Sequence, residues 1–339
     1  MDDKPLLNRL LSGIVIFKLK GKYIQVKPAR VEDKAFADFY AQEVYEDALI
    51  DGVLTNKDVE QLLLDKGWWS KEEDEKFETL QKNLEQMKLD YYTHFFKEDT
   101  RAYIKKSIDT QNKNITKLFE KKQEFFDKTC EYLREFTATA IIVEKNAFFK
   151  DGGLASDKIP SNHLVNAFLK ESLTEDAIRN IAKGHRWRAV WNCKESTSVF
   201  DLNACSLNNE QLSLIGWSRY YDGVYESPDK PNDDIVKDNI ALDGWAIQQD
   251  RKRKEEEKKA EGEKLLGDGN QDAGEIFVPV KSEREKQNVL ALNDAYGKSV
   301  LKSKQKQFEK GGSFKENELN HVRREIQMES LRQAKESRG

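Results

Sequence analysis

The residues best suited to metal binding or nucleophilic chemistry are few and scattered in this sequence. Four histidines and three cysteines occur in 339 residues, and the closest grouping is His185 with Cys193 and Cys205. Structural zinc sites use close pairs such as Cys-x-x-Cys or His-x-x-x-His, which this spacing does not provide. We therefore expect no bound metal and no recognisable catalytic centre. An enzyme of unrecognised type, using His185, Glu195 and Asp201, stays as an alternative.

Phosphate-binding loops are also missing from the sequence. Gly152 and Gly153 precede no Lys-Ser or Lys-Thr pair, and Gly311-Gly312-Ser313 lies in a highly charged segment. A nucleotide site of this type needs backbone amides in a glycine-rich loop at the start of a helix. The sequence therefore predicts no nucleotide or other cofactor.

Aromatic and aliphatic side chains at regular spacing indicate binding to another protein. Large apolar side chains, Trp above all, are typical of the residues that dominate interface energies. The candidate partner-binding residues are Trp68, Trp69, Phe119, Phe126, Leu133, Trp187, Trp191, Ile276, Phe277 and Val278. Trp187 and Trp191 have a second interpretation. They could form a core from which the neighbouring Arg186 and Arg188 extend to solvent.

Two basic patterns raise the alternative of nucleic-acid binding. Arg186 and Arg188 flank a tryptophan and could stack on bases, while lysines at four-residue spacing lie on one face of a predicted helix. The candidate contacts are Arg186, Arg188, Lys298, Lys302 and Lys306. Acidic residues offset this charge, and the whole chain has a net charge of −4. Nucleic acid is accordingly the alternative partner, after protein.

Elements with clear boundaries must position these side chains. The segment Ile14 to Val26 has β-branched and aromatic residues on both sides of Gly21-Lys22, which predicts a β-hairpin. A helix follows from 34 to 51, with Phe36, Phe39 or Tyr40, Val44 and Ala48 as its apolar positions.

Two N-terminal capping patterns fix the next helices. Thr55 with Asp58, and Ser70 with Glu73, have the three-residue spacing of a capping box. The second box starts a long helix whose apolar positions recur through Phe95, and Phe119, Phe126 and Leu133 then continue at intervals of seven. The pattern predicts an antiparallel helical hairpin with its reversal in the polar interval 98–113.

The remaining chain divides into a tryptophan-rich module and a charged arm. Short helices are predicted at 162–173, 174–182 and 208–221, followed by a tether at 226–238. Together these patterns predict a mainly α fold with a minor β component. The predicted segments are 1–69 (hairpin plus helices), 70–150 (long helical hairpin), 151–246 (tryptophan-rich module) and 247–339 (charged, partly disordered arm).

Composition excludes several classes of protein. Charged residues make up 35% of the chain and hydrophobic ones 38%, so part of the sequence is expected to lie outside any core. The longest apolar runs are far shorter than the ~20 residues that span a bilayer, and no signal-peptide pattern follows Met1. We therefore expect an intracellular protein that does not insert into a membrane.

Four segments within roughly residues 10–250 have a recognisable pattern: GKYIQVKP, FYAQEVYEDALIDGVLTNKDVEQLLLDKGWWSKEED, FLKESLTEDAIRNIAKGHRWRAVWN, and NNEQLSLIGWSRYYDGVYESPDKPNDDIVKDNIALDGWAIQQD. Together these segments resemble uncharacterised structural and assembly proteins of large tailed bacteriophages. The resemblance implies a non-enzymatic protein of virion or tail morphogenesis, located in the cytoplasm of the infected cell or in the particle. The partners that it implies are other phage structural or assembly proteins, or a second copy of the chain. It implies no catalytic residues.

Overall fold

A computed structural model describes residues 4–194, 197–200, 204–266 and 282–292 of the chain. The chain divides into two compact units, Met1–Ala246 and Ile247–Gly339. The predicted fold class is confirmed, because the described residues form helices together with one small antiparallel sheet. Among them, no helix is both long and apolar enough to cross a membrane.

The predicted hairpin forms close to the N-terminus. A helix, α1 (Lys4–Ser12), precedes the antiparallel strands β1 (Val15–Leu19) and β2 (Lys22–Val26). The turn is at Lys20 and Gly21, both with positive φ, which matches the twist of the strands. It lies one residue earlier than predicted because Lys22 pairs with Leu19.

Five further helices follow in the first half of the described chain. They are α2 (Val31–Ile50), α3 (Asn56–Asp65), α4 (Lys71–Thr93), α5 (Glu98–Gln123) and α6 (Cys130–Asn146). Both capping boxes are confirmed, with Thr55 and Ser70 each accepting from the third helical amide. Helix α6 continues into a third strand, β3 (Ala147–Phe149), which pairs with β2 and was not predicted.

The buried face of α2 includes the predicted Ala48 but not the predicted aromatic positions. Ala37, Ala41 and Ala48 are buried against α6, whereas Phe36 and Phe39 are 50% and 66% exposed. Small side chains let two helix backbones approach closely, so the alanine face gives the tighter packing and the aromatic face is excluded. Amphipathic spacing alone could not choose between them, since α2 has apolar residues on both sides.

Helices α4 and α5 form the predicted antiparallel hairpin, with a different reversal. Lys121 pairs with Glu73, and Gln111 donates to the carbonyl oxygen of Leu80. The chain reverses at 94–97, and the interval 98–113 is helical. A second turn at 124–129 puts Leu133 on α6, so the predicted continuous stripe of Phe119, Phe126 and Leu133 on one helix is wrong.

The tryptophan-rich half of the first unit contains further helices and two short 3-10 turns. The helices are α7 (Ser161–Lys170), α8 (Glu175–Ala182), α9 (His185–Lys194), α10 (Asn209–Glu226), α11 (Asp233–Lys237) and the start of α12 (Asn239–Leu266). The 3-10 turns are Thr197–Phe200 and Ala204–Ser206. Trp187, Trp191 and Trp245 are buried in one cluster, which Leu10 of α1 completes, so the core interpretation of Trp187 and Trp191 is the correct one.

The segment 226–238 is anchored, which corrects its prediction as a tether. Ile235 and Val236 of α11 are buried, and the indole N–H of Trp245 donates to the carbonyl oxygen of Asp229. These contacts fix both ends of a proline-containing stretch that its composition alone assigns to a linker.

The second unit is described at 247–266 and 282–292 only. Residues 251–260 are helical and exposed, as their mixed charges predict. Helix α13 (Glu283–Leu292) lies against α12 through Arg284 and Asn288, which both donate to Glu261. The predicted partner residues Ile276, Phe277 and Val278, and the candidate nucleic-acid contacts Lys298, Lys302 and Lys306, lie outside the described residues.

Candidate interaction site

The end of α3 directs two adjacent tryptophans in opposite directions. Gly67 has a φ of +67°, a backbone conformation that favours glycine, and it ends the helix. The amides of Trp68 and Trp69 then both donate to the carbonyl oxygen of Leu63, at 3.0 and 3.2 Å. After this reversal Trp69 is buried, at 3% exposure, whereas Trp68 is 52% exposed.

Trp69 belongs to a small core that joins α3 to α5. It clusters with Val59 and Leu63 of α3, and Leu118 and Phe126 pack against this group. Trp68 instead stacks on Phe125, with ring centroids 5.3 Å apart. Trp69 therefore contacts the turn after α5 on its buried side, and Trp68 contacts the same turn on its exposed side.

An open cavity of about 370 Å³ lies next to this small core, and we call it the α3–α5 cavity. Its apolar lining comes from α4, α5, α6 and the turns after α3 and α5: Trp69, Phe77, Leu118, Phe119, Phe126 and Tyr132. Its polar lining is Asn56, Glu60, Lys122, Gln123, Thr129, Glu131 and Glu135. The volume is near the lower end of the range for ligand pockets, roughly 300–1,000 Å³.

Three of the predicted partner-binding residues meet in this cavity. Trp69 is far in sequence from Phe119 and Phe126, and all three share its lining, while Tyr132 takes the place expected for Leu133. Phe119 and Tyr132 are 51% and 42% exposed, so they are accessible from solvent. Sequence reasoning missed Asn56, whose only signal was its place directly after the Thr55 cap.

Lysines from α5 occupy the ring face of Trp69. The ammonium nitrogens of Lys121 and Lys122 lie 5.7 and 5.3 Å from the ring centroid, which is cation–π distance. Each is also paired with a carboxylate in the first turn of α4, Lys121 with Glu73 and Lys122 with Asp74. The hydrogen bond from Lys121 holds the pKa of Glu73 below its ordinary value.

One wall of the cavity contains carboxylates and an unpaired acceptor. Glu60, Glu131 and Glu135 contribute to the lining, and Glu131 accepts a 2.8 Å hydrogen bond from the backbone amide of Asn56. The Oδ1 atom of Asn56 is buried and has no donor among the described residues. This wall is therefore negatively charged and lacks one hydrogen-bond donor.

Trp187 and Trp191 do not form a binding surface. Both are 1% exposed and stack on each other in the core of the tryptophan cluster. Their indole N–H groups donate to Ser218 and Asp222, and Arg188 pairs with Asp222 as well. Because both rings are buried in the core, they cannot stack on bases. Arg186, on the same helix, is exposed.

Potential metal ligands do not cluster in the part of the chain that the structure describes. Within it, no three His, Cys, Asp or Glu side chains come close enough to hold a metal ion. Cys130 is buried, which raises the pKa of its thiol, and its Sγ donates to the carbonyl oxygen of Val53. Cys193 and Cys205 are exposed and form no disulfide.

Comparisons of the chain with protein-family models, with curated proteins and with solved structures give no match.

Proposed function

We propose that this chain is a non-enzymatic protein of bacteriophage virion or tail assembly that acts by binding other proteins. The observation that supports binding is the α3–α5 cavity, which brings Phe119, Phe126 and Tyr132 together beside the buried Trp69 in one partly exposed apolar surface. The phage context is supported by the sequence resemblance over residues 10–250. The proposed location is the cytoplasm of the infected cell, with incorporation into the particle as a further step.

Binding free energy would come mainly from burying the exposed rings of the cavity. Removing apolar surface from water contributes about 25 cal/mol per Å² before the costs of association are subtracted. Phe119 and Tyr132 are about half exposed and are held by ordered helices, so little side-chain freedom is lost on binding. A pre-formed aromatic surface of this kind is typical of an interface hot spot.

The test compares two variants of one helix in a copurification experiment. The chain is tagged at Met1, recovered from phage-infected cells with nuclease present, and its partners are identified by mass spectrometry. Phe119→Glu introduces a charge into the cavity, and Tyr103→Glu introduces the same charge at another exposed aromatic of α5. We expect capsid or tail proteins at near-stoichiometric amounts with the original chain and with Tyr103→Glu, and their loss with Phe119→Glu.

Two results would overturn the proposal. One is recovery of host polymerase or nucleic-acid-binding proteins without structural proteins, which would favour the nucleic-acid alternative. The other is copurification of structural proteins that Phe119→Glu leaves unchanged, since the cavity would then not be the binding surface. Circular dichroism of both variants establishes that each is folded before the comparison is made.

A further inference from the structure

We propose that the α3–α5 cavity binds an arginine side chain presented by an apolar segment of a protein partner. The proposal deepens the proposed function, since it gives the chemistry of the partner at the same cavity. Three features of the lining carry it: aromatic ring faces, carboxylates that form no ion pair among the described residues, and a buried oxygen acceptor that has no donor among them.

The aromatic lining is the first feature. Trp69 is already covered by the ammonium groups of Lys121 and Lys122, so this part of the fold uses cation–π contacts within the chain itself. Phe119 and Tyr132 line the same cavity and are about half exposed, and no cation lies over either ring among the described contacts. A planar guanidinium stacks well on such rings, with about 0.5–2 kcal/mol per contact depending on burial.

The charge of the lining is the second feature. Glu60, Glu131 and Glu135 contribute three carboxylates, whereas the single lining cation, Lys122, is paired with Asp74 at 3.0 Å. The lining therefore has an excess of negative charge that a cationic group would neutralise. The same charge repels phosphate, so nucleic acid is a poor ligand for this cavity.

The third feature distinguishes arginine from lysine. Asn56 Oδ1 is a buried acceptor without a donor in the described part of the chain, and the backbone amide of the same residue is bonded to Glu131. A guanidinium carries five N–H donors in a rigid fork and can serve an amide oxygen and a carboxylate together. A lysine ammonium is a compact point charge and cannot stack on a ring face in the same way.

The size of the cavity requires more than one side chain. At about 370 Å³ it is large enough for a guanidinium together with neighbouring apolar groups, which the rings of Phe77 and Phe126 and the side chain of Leu118 would contact. The expected partner segment therefore has an arginine with aliphatic residues on either side.

The test is fluorescence polarisation with two labelled peptides that differ in one group. The first, Gly-Ser-Leu-Arg-Leu-Ser-Gly-amide, carries the guanidinium, and the second has citrulline in its place, which keeps the shape and removes the charge. We expect citrulline to weaken binding to the full chain by about tenfold or more, the range for a charge-assisted hydrogen bond. A lysine peptide is expected to bind more weakly than the arginine peptide.

Matched variants connect the effect to the cavity wall. The double variant Glu60→Gln with Glu135→Gln removes two lining charges, and Glu43→Gln with Glu85→Gln removes two exposed charges elsewhere. We expect the first pair to weaken binding of the arginine peptide by about three- to tenfold. The second pair should weaken it by less than about twofold, because exposed distant charges are screened. Asn56→Ala is expected to reduce the preference for arginine over lysine.

The outcomes separate this proposal from the proposed function. Equal binding of the arginine and citrulline peptides, or equal effects of the two double variants, overturns the arginine site. If neither peptide binds while phage proteins still copurify in a Phe119-dependent way, the proposed function stands and the arginine site is wrong. If the arginine peptide binds as expected and no structural protein copurifies, the proposed function fails instead. A dimer in light scattering that Phe119→Glu dissociates, without peptide binding, would identify a second copy as the occupant and overturn the arginine site.

Discussion

Arg179 of α8 donates a 2.7 Å hydrogen bond to Asp243 of α12. The Arg179 side chain is buried, and its guanidinium lies 4.3 Å from the centroid of the Trp217 ring. Asp243 also pairs with Lys88 of α4 at 2.8 Å. One carboxylate thus connects three helices of the first unit that lie far apart in sequence.

The first prediction concerns the removal of that carboxylate charge. Asp243→Asn leaves the buried guanidinium of Arg179 without a counter-charge, and we expect it to lower the free energy of unfolding by about 3 kcal/mol. Asp234→Asn is the matched control, because Asp234 forms an exposed pair with Lys237 and should cost about 0.5 kcal/mol or less. Urea unfolding followed by tryptophan fluorescence measures both, since all six tryptophans lie in the first unit. Equal losses for the two variants would contradict the structural role of the Arg179 pair.

The second prediction concerns a close approach of α12 to α4. A Cβ atom on Gly244 would overlap the carbonyl oxygen of Lys88 and the Cβ of Tyr92. We expect Gly244→Ala to destabilise the first unit by about 1–3 kcal/mol through overpacking. Gly216 of α10 has open space at the same position, so Gly216→Ala should be neutral or stabilise by up to about 1 kcal/mol. Gly244→Ala should therefore lower the urea midpoint, whereas Gly216→Ala should leave it unchanged or raise it. If Gly244→Ala lowers the midpoint no more than Gly216→Ala does, then α12 and α4 separate easily enough to accommodate the added methyl group.

The third prediction concerns the pH dependence of the α4 N-terminus. The folded state holds the pKa of Glu73 below its ordinary value, chiefly through the hydrogen bond from Lys121, whereas glutamate in an unfolded chain titrates near about 4.3. The folded state therefore binds this proton less readily. The contribution of Glu73 to stability is complete above the unfolded pKa and is lost as the pH falls through the folded pKa.

The variant Glu73→Gln tests this sign. Glutamine keeps an oxygen that can accept from the Ser70 amide and removes the charge. We expect the urea midpoints of the original chain and the variant to differ most near neutral pH and to converge below about pH 4. Glu75→Gln, at an exposed position of the same helix, is the control. A difference for Glu73→Gln that stays constant from pH 7 to pH 3 would exclude the ionic contribution.

The fourth prediction separates the two adjacent tryptophans. Trp69→Ala empties the small core between α3 and α5, and we expect a loss of about 3–5 kcal/mol. Trp68→Ala removes an exposed ring that stacks on Phe125, and about 1 kcal/mol or less should be lost. Thermal unfolding of the two variants measures the difference. Similar melting temperatures would show that the burial of Trp69 does not stabilise this turn.

The local boundaries of the elements were readable from the sequence. The Thr55 and Ser70 capping boxes and the hairpin turn beside Gly21 were each placed correctly or within one residue. These features depend on hydrogen bonds and backbone angles within three or four residues, so the information lies in the neighbouring side chains. The fold class was predictable for the same reason.

The choice of buried face needed the tertiary structure. Helix α2 has apolar residues on two sides, and only the close packing of α6 on its alanines decides that Phe36 and Phe39 face outward. Strand β3 was missed because its three residues continue a helical pattern and become a strand through pairing with β2. Arg188 and Trp191, which appeared suited to stacking on bases, contact Asp222, a residue remote in sequence.

The sequence by itself determined the β-hairpin, the two capped helix starts at Thr55 and Ser70, and the mainly α fold class. Only the tertiary structure decided that Trp69, Phe119 and Phe126 share one cavity while Trp187 and Trp191 are buried elsewhere. The physical reason is that capping and turns are fixed by neighbours along the chain. Burial depends on which distant side chains come to cover a residue, and neither the type nor the spacing of that residue specifies them.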